Sequence, residues 1–376
     1  MKNSESLEIK EAVDSKTLKD FINFPYRLYE DDPNWVSPLL SEEKKFYNPK
    51  HNPFLKHNPV ALFMCYRNSQ PVGRVAAIIN RDHNNYHKDN AAFFGSFETV
   101  NDRAVAHLLL STAETWLKEK GADVLRGPST FSTNNISGVL VEGFDEPPFV
   151  LMSYNGPYYS DLLKKYGFKR VMRFFAYEVT EETIKFPSAL SRMEERLLDR
   201  DIVIRNVDYS RLEKEAEIVT DLFNQAWSGN WGFVPFTKEE VLEEFENIKI
   251  FARRDLIFIA EHKAKPIGFC FSVPDINQAL ISLKGRLFPF NWIKLIRKLK
   301  KVNQIRVALM GVLKEYRNRG VDFLFYQKTV ENGLKHGYKR AELSWILENN
   351  NSMNRVLEHI NARRYKTYGM YEKKIK

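Results

Sequence analysis

The chain has 376 residues, 43% hydrophobic and 28% charged, an ordinary globular balance with length enough for two domains. No stretch approaches the ~20 apolar residues of a membrane span, and the polar start MKNSESLEIK lacks the apolar core of a signal peptide. The net charge of +9 is uneven: 281–376 carries 22 Lys and Arg against 7 Asp and Glu, leaving −6 on the first 280 residues. A basic end suits a phosphorylated cofactor, an anionic membrane surface or nucleic acid. Cys65 and Cys270 fall in expected strands, as half-buried structural thiols of a reducing compartment. A cytoplasmic location is expected.

In order, 7–13 alternates like a first strand, and Asp14 or Ser15 can cap a helix running to about Tyr29. Two Pro-rich loops follow, DDPNWVSPLL and NPKHNPFLKHNP. The runs 60–66 and 71–79 form a hairpin about Asn68-Ser69-Gln70, and 91–97 is a further strand. RDHNNYHKDN reads as a polar loop. His83 and His87 are spaced as in a zinc helix but lack the accompanying glutamate, so no metal site is expected. A helix over 102–120 stops at Gly121. A strand begun by Val124 and Leu125, a loop rich in Gly, Ser, Thr and Asn, a short helix over 159–166 and a strand over 173–179 complete the first half.

A linker helix is expected over 186–201. The same order then returns: strand 202–207, helices 211–227 and 238–248, hairpin 256–261 and 266–273, strand 305–312, helix from Val321, strand 340–347, helix 352–360 and strand 365–372. PVG at Pro71 matches PIG at Pro266, and Tyr177-Glu178 matches Tyr371-Glu372. The chain therefore reads as an internal repeat, with 1–180 and 202–376 as the two copies and 181–201 between them. Extra segments lie near 129–148 and 277–303. The fold class is α+β with mixed sheets.

The most informative stretch is IRVALMGVLKEYRNRGVDFLFYQKTVENGLK, from Ile305 to Lys335: a strand, a basic turn and a helix. Such a turn presents unpaired N–H groups and the positive end of a helix to a phosphate. An ordinary crossover turn with surface arginines has the same composition, and the turn alone leaves both readings open.

With the hairpin before it and L-S-W-I-L-E-N-N-N after it, V-L-K-E-Y-R-N-R-G-V-D resembles the RxxGx(G/A) region of the GNAT superfamily of N-acyltransferases. The resemblance covers 202–376 well and 7–179 at the level of fold. The whole chain is also similar to an incompletely characterised bacterial family of tandem GNAT-like proteins, through DPNWVSPLL, NPFLKH, GPSTFSTNN, YNGPYYSDLLKKYGF and GRLFPFNW. The resemblance implies two tandem GNAT-like folds. It implies acetyl-CoA or a longer acyl-CoA as co-substrate, its pyrophosphate on backbone N–H groups of Arg317, Asn318, Arg319, Gly320, Val321 and Asp322. The pantetheine arm would pair along Leu309, Met310, Gly311 and Val312. N-acetyl transfer to a primary amine is the first expectation, long-chain transfer to a lipid amine at the inner membrane surface the second, and a catalytically inactive binding protein the third.

Departures accompany the match. Asp322 stands where the motif has a small residue, and its charge would repel pyrophosphate. Glu358 aligns with the position where many such enzymes carry an acid tyrosine. In the first half the corresponding loop, Glu98 to Arg103, has no glycine and two acids, so that copy is read as a lobe without a donor site. Glu348, ending a strand, is the candidate base, with Glu342 a wall residue. Asn349 or Asn351 would cap the next helix or bind the substrate or pantetheine, and Tyr371 would pack in the core or reach the active centre. FNWIKLIRKLKKV, over 290–302, is a basic amphipathic helix with Trp292, Leu295, Ile296 and Leu299 in one stripe, able to pack on the fold or contact an anionic membrane. No nucleic-acid module is recognisable, and no such partner is expected.

Overall fold

The computed structural model describes residues 6–184, 193–198 and 200–375. The chain begins β1 (Leu7–Glu11), α1 (Ser15–Leu28), α2 (Leu40–Phe46), α3 (Phe54–His57), β2 (Val60–Arg67), β3 (Gln70–Ile78), α4 (Arg81–His87), β4 (Ala91–Thr99) and α5 (Arg103–Glu119). Next come β5 (Val124–Gly127), β6 (Val139–Glu142), α6 (Tyr159–Tyr166), β7 (Lys169–Thr180), α7 (Met193–Leu198), β8 (Ile202–Asn206), α8 (Leu212–Trp227), α9 (Lys238–Ile248), β9 (Ile257–His262) and β10 (Lys265–Pro274). The remainder is α10 (Asn277–Leu280), α11 (Asn291–Leu299), β11 (Gln304–Val312), α12 (Val321–Lys335), β12 (Arg340–Leu347), α13 (Asn351–His359) and β13 (Arg363–Lys374). Of the expected linker helix, α7 is described; 185–192 and Asp199 lie outside the described residues. The expected loop at His83 is instead helix α4, capped by Asn80, whose side chain accepts from the His83 N–H at 2.9 Å.

The chain divides into two compact units. The first contains Met1–Phe174, Asn277–Lys298 and Lys366–Lys376; the second contains Phe175–Ile276 and Leu299–Tyr365. Thus the segment 277–298 and most of the last strand belong with the first unit, although they come late in the sequence.

In the first unit the strands run β1-β2-β3-β4-β5-β13, with β6 also beside β13. Among the described residues these pairs are antiparallel except β4 with β5. One sheet face packs on α5 through Val105, Leu109, Leu110, Ala113 and Leu117. Approach is so close at β3 that a Cβ on Gly73 would meet Leu109 at 2.6 Å, so this position excludes a side chain. The other face packs on α1 through Phe21, Ile22 and Phe24, joined by Phe131. Truncating a fully buried leucine such as Leu109 to Ala costs about 2–5 kcal/mol.

The second unit repeats the plan. Its strands β12, β11, β10, β9 and β8 lie in that order, with the end of β7 beside β12. The core under α12 holds Val321, Leu324, Phe325 and Tyr326, with Leu357 from α13. Both cysteines are fully buried and unpaired, further in than expected, and burial pushes the Cys270 thiol up to about 12.

The last strand closes the first unit's sheet. Tyr371 lies opposite Gly127 and Lys374 opposite Val124, and Arg126 Nη2 pairs with Glu372 at 2.7 Å. The buried Lys366 ammonium donates to the Gly143 and Glu146 carbonyls. A chain ended at Tyr365 is therefore expected to lose cooperative unfolding of the first unit, read by near-UV circular dichroism across a urea series. An unchanged urea midpoint would refute this.

Candidate active site

In the second unit β11 and β12 run parallel, but pair only from Gln304 with Arg340 to Val307 with Leu343. Beyond that point they part. β11 stays paired to β10 as far as Val312, so its other edge faces a gap. The β10–β11 register shifts between Phe271 and Ser272 and passes over Ala308, which makes Ala308 a bulge residue. The Leu313 N–H donates to the Ile267 carbonyl at 2.9 Å, which turns Leu309 and Gly311 toward β10 as well. By alternation the backbone groups of Met310 and Val312 face the gap. Their carbonyls are capped by side chains: the Trp227 indole N–H donates to Met310 at 3.1 Å, and Arg317 Nε donates to Val312 at 3.1 Å. The N–H groups of these two residues are left directed at the gap. A Cβ on Gly311 would meet the Phe269 ring at 2.7 Å and Ala226 at 3.1 Å, so glycine is what lets α8 lie this close.

The turn after β11 is held by Arg317. Its Nη2 also donates to the Ala226 carbonyl at 2.6 Å, so this guanidinium ties β11, the turn and the end of α8 together. Arg319 lies over the Tyr316 ring at 5.2 Å. Asn318 (φ 60°) and Gly320 (φ 93°) take left-handed conformations, and the chain turns sharply into α12. Among the described residues the N–H groups of Asn318, Arg319, Gly320 and Val321 make no hydrogen bond. The Asp322 carboxylate accepts from the Phe323 N–H and its own. Burial raises its pKa, and those two hydrogen bonds work against the rise.

Where β11 and β12 separate, a polar chain is buried. Ile305, Val307, Ala341 and Leu343 enter the α12 core, so alternation sends Arg306, Glu342 and Ser344 to the opposite face. None of the three is more than 4% exposed. Ser344 Oγ donates to Glu342 Oε1 at 2.6 Å, and Arg306 Nε donates to Ser344 Oγ at 3.0 Å. Arg306 Nε lies 3.6 Å from Glu342 Oε1, and the half-buried Tyr365 hydroxyl donates to Glu342 Oε2. Satisfying both carboxylate oxygens and adding a guanidinium offsets the cost of burying this charge.

The expected site residues from Leu309 to Asp322 thus lie along one strand edge and the turn that continues it. Glu348 is half-buried, just past β12. Asn351 is the exposed first residue of α13, and the cap is Asn350, whose side chain accepts from the Met353 N–H at 3.3 Å. Tyr371 sits in the first unit's core, fully buried, its hydroxyl 2.6 Å from Ser160 Oγ. Arg306, Ser344 and Tyr365 were not singled out in the sequence. The available signal was a charged residue inside an apolar strand run, IRV opposite AEL.

The first unit has the same parting of strands. β4 and β5 pair only from Ala91 with Val124 to Phe93 with Arg126. There the gap is filled by the chain itself: the Ser129 N–H donates to the Phe94 carbonyl at 2.8 Å, and the Ser96 N–H to Thr130 Oγ1 at 3.0 Å. At the start of α5 the Asp102 carboxylate accepts from Ala104 and Val105 N–H groups and pairs with Arg67 at 2.5 Å.

No family model matches the chain. It is 35% identical to Protein YghO of Escherichia coli over 98% of this chain and 95% of that protein. It is 36% identical to the bacterial ceramide synthase of Caulobacter vibrioides over 95% of each. The chain belongs to this family. Its fold is that of a tandem GNAT protein from the clavulanic acid biosynthesis pathway, with TM-score 0.57, 12% identity and 99% of both chains covered. The protein is a tandem GNAT-fold acyltransferase of this family, and no described helix is long and apolar enough to cross a membrane.

In this acyltransferase, Arg317→Ala is expected to lower stability by about 1–3 kcal/mol, because two backbone carbonyls lose a charged donor. A urea denaturation series measures it, and an unshifted midpoint contradicts the clamp.

Proposed function

We propose that the protein is an N-acyltransferase that moves a long acyl chain from acyl-CoA to the primary amine of a lipid, with the donor site in the second unit. The observation that carries the reading is the β11–β12 gap, continued by a turn with unpaired N–H groups. The pantetheine arm pairs with the Met310 and Val312 N–H groups as an added strand along Leu309 to Val312. The pyrophosphate meets the backbone from Asn318 to Val321, with Arg319 as the charged side chain, while Arg317 braces the turn. The first unit is read as a lobe without a donor, since residues 128–131 fill its gap.

At the narrow end of the gap, where the Ala308 bulge interrupts the ladder, a backbone N–H polarises the thioester carbonyl. The amine nitrogen attacks that carbon, the C–S bond breaks, and the leaving thiolate takes a proton from water, which regains one when Glu342 releases the amine's. Glu348 lies about 13 Å along β12 from Ser344, at the wide end. The base role therefore falls to the Glu342 carboxylate, reached through Tyr365: the amine proton passes to the phenol oxygen as the phenol proton passes to Glu342. Acyl transfer to an amine by position and a prearranged donor is consistent with the absence of any need for a covalent enzyme intermediate.

The lipid acceptor is supported by the relative named a ceramide synthase and by α11. None of the α11 side chains is buried. Phe288 (82% exposed), Phe290 (74%), Trp292 and Ile296 stand in solvent beside Lys294, Arg297 and Lys298, a composition that fits an anionic membrane surface.

One observation favours a second reading, a GNAT-fold binding protein without a donor: Asp322 already occupies first-turn N–H groups of α12. Calorimetry with palmitoyl-CoA decides. Arg319→Glu is expected to weaken binding by about tenfold or more, and Asp322→Asn to tighten it about threefold, through removal of a like charge. Absence of binding to any CoA thioester removes the donor site.

Trp292→Glu together with Phe290→Glu is expected to reduce co-sedimentation with phosphatidylglycerol vesicles about tenfold while leaving palmitoyl-CoA binding unchanged. Undiminished sedimentation would refute the α11 contact.

A further inference from the structure

The first unit contains a second buried polar centre, unused by the donor site. Glu98 lies on β4 opposite Arg74 on β3. The Tyr29 and Tyr159 hydroxyls both donate to Glu98 Oε2, at 2.5 and 2.7 Å, and lie 3.0 Å from each other. The Thr99 N–H donates to the Tyr159 oxygen at 3.0 Å. One carboxylate oxygen is therefore fixed by two buried phenols. The other, Oε1, has no hydrogen-bond partner among the described residues, and Glu98 is only half-buried. Burial raises the Glu98 pKa, with Arg74 opposing the rise.

Arg74 is 5% exposed, yet it forms no ion pair with a carboxylate among the described residues. Its Nη1 donates to the Phe21 carbonyl at 2.8 Å, its Nε has no partner, and its guanidinium lies over the Phe21 and Tyr47 rings at 4.9 and 5.9 Å. Glu43 on α2 is half-buried and close enough to interact with both Arg74 and Glu98. A cluster serving the fold alone would close the Arg–Glu pair and satisfy the guanidinium. Here two carboxylates face one guanidinium, and one of them keeps an open oxygen. Beside it the half-buried Trp35 stacks on Tyr29 at 5.3 Å and meets Tyr26 edge-on at 5.4 Å. A carboxylate with aromatic walls is chemistry that recognises an ammonium ion.

We propose that Glu98 Oε1, assisted by Glu43 and walled by Tyr29 and Trp35, holds the primary ammonium group of the acceptor at a site of the first unit that the amine leaves before it is deprotonated and attacks the thioester. The choice of a lipid amine as that acceptor rests on the function proposed above. The segment 277–298 supports it from within the same unit. The Leu40 N–H donates to the Gly285 carbonyl at 2.9 Å, Tyr26 donates to the Pro38 carbonyl at 2.8 Å, and a Cβ on Gly285 would collide with the Tyr26 ring. The segment that carries the exposed apolar helix thus packs on the loop that walls the carboxylate.

The test is titration of sphinganine, in detergent micelles, into the full chain and into its Glu98→Gln and Glu43→Gln variants, with N-acetylsphinganine as the uncharged control. The expected result is binding of the amine but not the amide, about tenfold weaker in each variant, with palmitoyl-CoA affinity unchanged. Glu98→Gln keeps an oxygen for both phenols. Should it fail to unfold cooperatively, Glu43→Gln carries the test. Sphinganine bound equally by parent and variants, or N-acetylsphinganine bound as tightly as the amine, overturns the inference. Palmitoyl-CoA binding without sphinganine binding overturns it too and leaves the donor site standing. Sphinganine binding that is lost in the variants, in a chain that binds no CoA thioester, supports it and removes the donor site instead.

Discussion

Two parallel strands that share a few rungs and then part are the constraint on which the second unit depends. Parting leaves strand edges without partners, and unpaired backbone groups are costly wherever water is excluded. The chain meets that cost on one side only. Carbonyls of Met310 and Val312 are capped by Trp227 and Arg317, whereas acceptors for the N–H groups on that edge would have to come from a ligand. In the first unit the same parting is met by residues 128–131, which supply both donors and acceptors from the chain itself. One geometry repeated with two ways of satisfying it separates the roles of the units more sharply than the turn glycine does.

The two buried polar centres differ in the same manner. Around Glu342 every carboxylate oxygen has a donor and a guanidinium stands beside it, so the charge is held within the protein. Around Glu98 the phenols converge on a single oxygen, and Arg74, bonded to the Phe21 carbonyl, leaves its Nε without a partner. A buried charge that is fully satisfied can be part of a fold or of a proton path. A charge satisfied on one side only is stabilised when something with the opposite charge arrives. On physical grounds the former suits the chemistry of transfer and the latter suits recognition.

Much of the fold was legible because its signals are local. The paired hairpins at PVG and PIG, the period of α5 and α12, and the glycines at Gly121 and Gly337 each act within about one element. What was not legible depends on partners far apart in sequence. Arg317 reads as an anion-binding residue until the Ala226 carbonyl, 91 residues earlier, is found on its guanidinium. Tyr371 reads from the sequence as a core residue or an active-site tyrosine, and only Ser160 and the first unit's core, far off in sequence, show what surrounds it. The closing of the first sheet by the last strand was invisible for the same reason, since each half alternates correctly whichever sheet it joins. Asn350, rather than a neighbouring asparagine, caps α13 in a run of three, where composition alone offers equal choices.

The segment 277–298 shows why an insertion can carry function without disturbing a fold. Asn277 Nδ2 donates to the Pro148 carbonyl at 2.9 Å and Gly285 accepts from Leu40, while within the segment Lys294 donates to the Ser282 carbonyl at 2.9 Å. These contacts hold its first half and leave Trp292 and Ile296 of α11 exposed. An aromatic and aliphatic face kept in water costs free energy that a purely structural helix would recover by burial. Its retention beside lysines and arginines fits the anionic surface proposed above, which would take both the apolar face and the charge. Because the same segment abuts Tyr26 and Pro38, any shift of α11 against such a surface acts on the loop that bears Tyr29. The exposed helix and the half-satisfied carboxylate are then connected through one short stretch of packed chain.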